Sequence, residues 1–186
     1  LVGYHATIIP KKQKDLGNGP SVKRFAVLQP MFDPWQSWQR NKPRYYQILS
    51  DLTRKGAEKN IDFVLWTESS TLERFTLYRR FQRSNEFQTK MRMLIREIDV
   101  PLLTGSIDTV PIRENGKIRY LDYNALTFFD QNAKIIGTYR KNQLVPFGEW
   151  FPYDKLFPGV RAILDSYGAS IWEPGKELNM LSHNNT

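Results

Sequence analysis

The chain has 186 residues and a net charge of 27 − 19 = +8, long enough for one domain with a sizeable core. Its apolar and aromatic fractions are 40% and 13%, the composition of a folded globular protein rather than a disordered one. It contains no cysteine, which excludes disulfides and thiolate metal sites, and no run reaches the roughly 18 apolar residues that a membrane helix needs.

Leu1–Ala6 carries neither Met nor a charged signal-type start and is compatible with the tail of a membrane helix cut off upstream; residues 1–22 read as that tail plus a linker, because Lys11–Ser21 is rich in Lys, Gly and Pro. The domain is expected over 23–186. Arg24–Gln29 is a short apolar run stopped by Pro30, hence a buried strand. Met31–Asn41 is predicted to be a loop whose Trp35 and Trp38 cap the core or line a cavity. Lys42–Lys59 reads as a helix with Tyr45, Ile48, Leu49 and Leu52 on one face. Ile61–Trp66 is a second buried strand that ends in Glu68, and Ser69–Ser84 reads as loop plus short helix. Glu86–Ile98 places Phe87, Met91, Leu94, Ile95 and Ile98 at helical spacing, with Met91 and Met93 as packing residues. Pro101–Ile107 is a third strand. Asn115-Gly116 signals a hairpin leading into the β run Ile118–Asp130. A further strand, Ala133–Tyr139, delivers Lys141 into a loop shaped by Pro146 and Gly148. Tyr153–Tyr167 looks partly helical and Glu173-Pro174-Gly175 is a turn.

Strands alternating with helices and then a hairpin argue an α/β layered domain. Two histidines near opposite ends, His5 and His183, leave no material for a Ser–His–Asp triad or a His-rich metal site. The ionisable groups with catalytic context are the strand-end Glu68 and Lys141, with Glu149 eight residues beyond, because a rigid strand can hold a charged head on an irregular loop. The dispersed basic excess would attract anionic partners such as phospholipid head groups. No helix-turn-helix, RNP-like or zinc-finger pattern accompanies it, so nucleic acid is not indicated.

Several segments resemble the nitrilase (carbon–nitrogen hydrolase) superfamily, in order: Val27-Leu28-Gln29-Pro30, Val64-Leu65-Trp66-Thr67-Glu68, Leu103-Thr104-Gly105-Ser106, Tyr123-Asn124-Ala125 and Tyr139–Pro152. The Leu144-Val145-Pro146-Phe147-Gly148-Glu149 core with Lys141 upstream is similar to the family's apolipoprotein N-acyltransferase branch. The resemblance covers roughly residues 24–175. It implies a four-layer α-β-β-α sandwich whose C-terminal part is missing here, and a Glu–Lys–Cys triad. Glu68 would be the general base, Lys141 the triad lysine and Glu149 a second glutamate beside the site. Apart from the resemblance, Trp38 and Trp150 are candidate substrate-binding residues, as amphipathic aromatics in loops that suit a boundary between water and lipid. The resemblance implies acyl transfer from phospholipid to a lipoprotein's N-terminal amine through a Cys thioester, at the extracytoplasmic face of a bacterial inner membrane, with no metal or cofactor. Thr67 departs from the Pro usual before that Glu. The nucleophile has no counterpart in the chain, so these 186 residues are expected to be inactive alone. A soluble amidase of the same superfamily and a non-catalytic module that keeps the fold are the alternative readings.

Overall fold

The computed structural model describes residues 5–8, 23–30, 32, 37–80, 85–146, 148–150 and 172–177. Its framework is one six-stranded sheet in sequence order, β1 (His5–Ile8), β2 (Phe25–Gln29), β3 (Phe63–Trp66), β4 (Leu102–Glu114), β5 (Lys117–Phe129) and β6 (Ile135–Arg140). β2, β3 and β4 run parallel, as their helical crossovers require, while β1, β5 and β6 join antiparallel. His5–Ile8 lies within residues 1–22, expected to be a helix tail plus a linker, and it adds a strand to the edge beside β2.

Helices α1 (Trp38–Ala57) and α3 (Glu86–Ile98) cover one face of this sheet, and the short α2 (Phe75–Arg80) lies between β3 and α3. The covered face follows the period-two pattern of the strands. Ala26, Leu28, Val64, Trp66, Leu102 and Phe129 are buried against Leu49, Leu52, Met91, Leu94 and Ile95. Trp66, the largest wholly buried side chain among the described residues, donates its indole N–H to Thr53 Oγ1 at 2.9 Å, so its polar edge is satisfied inside the core. Asn85 caps α3 by accepting from the Gln88 amide, and Asp99 ends it in the left-handed region.

The opposite face carries Phe25 stacked on Phe63, with Phe63 tilted against Phe128. Phe63, Leu65 and Leu103 are only part-buried there, the face that a second sheet covers in a four-layer sandwich. The architecture is mixed α/β, with one sheet and its helical layer among the described residues.

The structure departs from the sequence reading at several points. α1 starts at Trp38 rather than Lys42, and Pro43 is accommodated inside it. β4 runs on beyond Ile107 to Glu114. Met93 faces solvent at 62% exposure, so only Met91 of that pair packs in the core. The segment Tyr153–Tyr167 and the loop residues Trp35, Phe147 and Phe151 lie outside the described residues.

Candidate active site

The carboxyl ends of the parallel strands supply the ionisable residues. Glu68 follows β3 by two positions, in a turn where Ser69 adopts φ 58°. That turn sits directly on β4 because Gly105 has no side chain. A Cβ there would come within 2.6 Å of the Ser69 amide nitrogen and 2.9 Å of the Thr67 carbonyl oxygen. Thr71 Oγ1 donates to the Gly105 carbonyl at 2.7 Å and the Ile107 amide donates to the Glu73 carbonyl at 2.9 Å, fastening the segment along the edge of β4.

Lys141 follows β6, which runs parallel to β3. Its amide donates to the Asn124 carbonyl at 2.8 Å, prolonging the ladder by one bond. From there Nζ reaches Glu68 Oε1 and Glu149 Oε1, both at 3.0 Å. Residues 73 positions apart thus share one ion-paired cluster. Glu149 is held by its own turn, with its Oε2 accepting from the Val145 amide at 2.8 Å. The sequence reading did not single out Asn124 as a site residue. Its Nδ2 donates to Glu68 Oε1 at 2.6 Å and to Glu149 Oε1 at 3.0 Å, so the amide and the lysine bridge the same two oxygens. The signal available was a polar residue in the buried stretch of β5, with Tyr123-Asn124-Ala125 already among the matching segments.

The electrostatics follow from this geometry. Burial is the largest single influence on Lys141 and would lower its pKa. Hydrogen bonds to Glu68 and Glu149, with their charges, outweigh it and hold the ammonium above its ordinary value. Burial likewise pushes Glu149 up, but the Val145 amide, Lys141 and Asn124 together bring its carboxyl below the usual range. Lys141 is therefore a fixed cation and Glu149 a fixed anion at neutral pH. The Glu68 side chain is 58% exposed against 17% for Glu149, which leaves Glu68 the carboxylate accessible to an incoming group.

Trp150 stands next to Glu149, part-exposed at 37%. Trp38 is not brought to this cluster. It is buried between Tyr45 and Phe87, and its indole N–H donates to Glu73 Oε1 at 3.3 Å. The structure shows no group of three or more His, Asp or Glu side chains placed to hold a metal among the described residues.

Residues 24–171 match the carbon–nitrogen hydrolase family, and the chain belongs to it. It is similar to apolipoprotein N-acyltransferase 1 of Treponema denticola, 32% identical over 179 residues that make up 87% of this chain and 33% of that protein. Apolipoprotein N-acyltransferase of Chlorobaculum tepidum is 28% identical over 181 residues, 89% of this chain and 33% of that protein. This chain spans about a third of the length of these relatives. An amidase from Nesterenkonia sp. superposes with a TM-score of 0.48 at 14% identity, over 83% of this chain and 49% of that structure.

Proposed function

We propose that the cluster supplies the general base and the oxyanion-stabilising group of a phospholipid-dependent N-acyltransferase acting on the N-terminal amine of a lipoprotein. The observation that carries the reading is Lys141 Nζ placed 3.0 Å from both Glu68 and Glu149 at the carboxyl end of the sheet. Relatives bearing the N-acyltransferase name over most of the chain support the choice of reaction. Substrates that are a lipid and a lipid-modified protein place the work at a membrane surface, in this reading the extracytoplasmic face of a bacterial inner membrane.

The chemistry balances with few groups. A cysteine thiol gives its proton to Glu68 and attacks the ester carbonyl of the phospholipid. The negative charge that develops on the carbonyl oxygen is met by the Lys141 ammonium, which its two carboxylates keep charged. The C–O bond breaks, Glu68 returns the proton to the departing lysophospholipid oxygen, and a thioester remains. The lipoprotein amine then attacks the thioester, Glu68 takes its proton, and the thiolate leaves to be reprotonated. Glu149 and Asn124 stay in place throughout and hold Lys141 and Glu68 at working distance. Trp150, beside Glu149, contacts the acyl chain or its glycerol end. The 186 residues contain no cysteine, so this covalent step needs a thiol from outside them.

The test uses a polypeptide that includes the thiol. With labelled phospholipid and a diacylated lipopeptide acceptor, Glu68→Gln should lower transfer by about 10²–10⁴-fold, the usual contribution of a positioned general base. Faster hydrolysis of small amides than transfer to the lipopeptide would overturn the reading in favour of an amidase.

A further inference from the structure

Exposed apolar side chains are unevenly placed on this fold. Among the described residues, Leu72, Ile118, Tyr120, Val145 and Trp150 lie at the end of the sheet that holds Glu68 and Lys141. Phe25 and Ile136 lie at the opposite end and Met93 half-way along α3. The two at the greatest reach are on the β4–β5 ribbon. β3 stops pairing with β4 at Thr104, and β5 is flanked as far as Asn124 by Lys141 and at Asp122 by the Glu173 amide, whereas β4 and β5 pair onward to Glu114↔Lys117. Asn124, which marks the level of the catalytic cluster, pairs with Ile107. The tip at Glu114 is seven residues further, about 23 Å at the usual rise per residue. The turn itself is closed by Asn115 and Gly116 at φ 50° and 75°, the rigid two-residue form.

Alternation gives this ribbon two unlike faces. Pro111 pairs with Tyr120 and Arg113 with Ile118, so these four share one face. Ile118 is 61% and Tyr120 52% exposed. The segment Pro111–Tyr120 has Arg113, Lys117 and Arg119 against Glu114, and Glu173 reaches Arg119 at 3.4 Å, so the tip with this neighbour keeps 3 − 2 = +1, carried by Arg113 and Lys117. An amphipathic aromatic, a β-branched residue and basic groups with long apolar stems on one projecting tip suit the boundary between water and anionic lipid, where the rings enter and the cations meet phosphate.

We infer that the β4–β5 ribbon tip is a membrane-contact arm, which inserts Ile118 and Tyr120 at an anionic lipid surface and sets the height of the catalytic end above it. The choice of lipid rests on the acyl-transfer reading, but the arm is tested without turnover. The absence of cysteine makes a single Glu114→Cys label unique in the chain. With an environment-sensitive fluorophore there, vesicles of phosphatidylglycerol and phosphatidylcholine should shift its emission to the blue, and high salt should reverse part of the shift. Ile118→Glu with Tyr120→Glu should lower vesicle partitioning by about 10²-fold, as burial of two such side chains implies. Arg113→Glu with Lys117→Glu should lower it on anionic vesicles and leave the weak binding to pure phosphatidylcholine unchanged. Met93→Glu, at an equally exposed site away from the tip, should leave partitioning within twofold of the parent. A label that stays in water, or a tip variant that binds like the parent, overturns the arm. Acyl transfer retained by that same tip variant in a thiol-bearing polypeptide would leave the catalytic reading standing, whereas an inserted tip without any transfer would leave only the arm.

Discussion

At the scale of single residues, the cluster is an arrangement of opposite charges whose stability depends on pH in a definite direction. Glu149 is held below its ordinary 4.5, so its contribution is complete above that value and is lost as the pH falls through the lower, folded pKa. Lys141 is held above its ordinary 10.5, so its contribution is complete below 10.5 and is lost as the pH rises through the folded pKa. Denaturant unfolding of the parent should therefore weaken at pH values below 4.5 more steeply than that of Glu149→Gln. Superimposable acid limbs would remove the Glu149 pairing from the protein's stability. Asn124→Asp replaces the amide that donates to both Glu68 and Glu149 with a third carboxylate, and should lower transfer by a thiol-bearing polypeptide; parental turnover would show that Asn124 does not hold the cluster. Glu68 and Lys141 were legible in the sequence because each ends an apolar strand, where a charge has no packing role. Asn124 was not, since a polar residue inside a strand looks the same whether it meets solvent or two carboxylates.

At the scale of elements, the turn bearing Glu68 is fixed from two sides. On the sheet side, Gly105 lets the turn lie on β4, and the atoms that an added Cβ would strike belong to the backbone and have no rotamer to yield. Gly105→Ala should shift Glu68 by a fraction of an ångström or more and cost about 10²-fold in transfer, as small misplacements do. Stability should change less than activity; a variant with parental turnover would show that the turn has room. On the helix side, Glu73 is 2% exposed. It takes a salt bridge from Lys42 at 2.5 Å and hydrogen bonds from Trp38, Asn85 and Gln88. One buried carboxylate thus joins α1, the cap of α3 and the segment after β3. Removing it leaves a part-buried cation and three donors without their acceptor, so Glu73→Ala should destabilise the fold by about 2–4 kcal/mol in denaturant unfolding. A loss below about 1 kcal/mol would mean that water replaces the carboxylate. α3 was readable to its ends from its apolar spacing, because amphipathic helices against a sheet carry a strong period. The start of α1 was not, since Trp38 owes its burial to Glu73 and Phe87, contacts distant in sequence.

At the scale of the whole molecule, the layered α/β arrangement was legible because parallel strands buried under helices are nearly continuous apolar runs. β1 was hidden: four residues ahead of the Lys-rich stretch form a strand by pairing with the edge that β2 offers them. The second face of the sheet carries Phe25, Phe63 and Phe128 in a row; Phe128 is buried, whereas Phe63 is only part-buried and Phe25 40% exposed among the described residues. The catalytic reading has one consequence for the chain as a unit. Glu68, Lys141, Glu149 and Asn124 can polarise a carbonyl and accept a proton, but they form no thioester without a thiol, and the sequence has none. Ser106 is spoken for by Thr127 at 2.7 Å, and Ser70 donates to the Thr67 carbonyl at 2.5 Å, so neither hydroxyl is poised beside Glu68. Groups that act as a unit lose most of their rate enhancement when the nucleophile is removed. The 186-residue chain, incubated with labelled phospholipid and a diacylated lipopeptide, should therefore show no transfer, while a polypeptide that adds a cysteine-bearing strand beside Lys141 should. Equal turnover by the two would sink the thioester route and point to a hydroxyl nucleophile inside this chain.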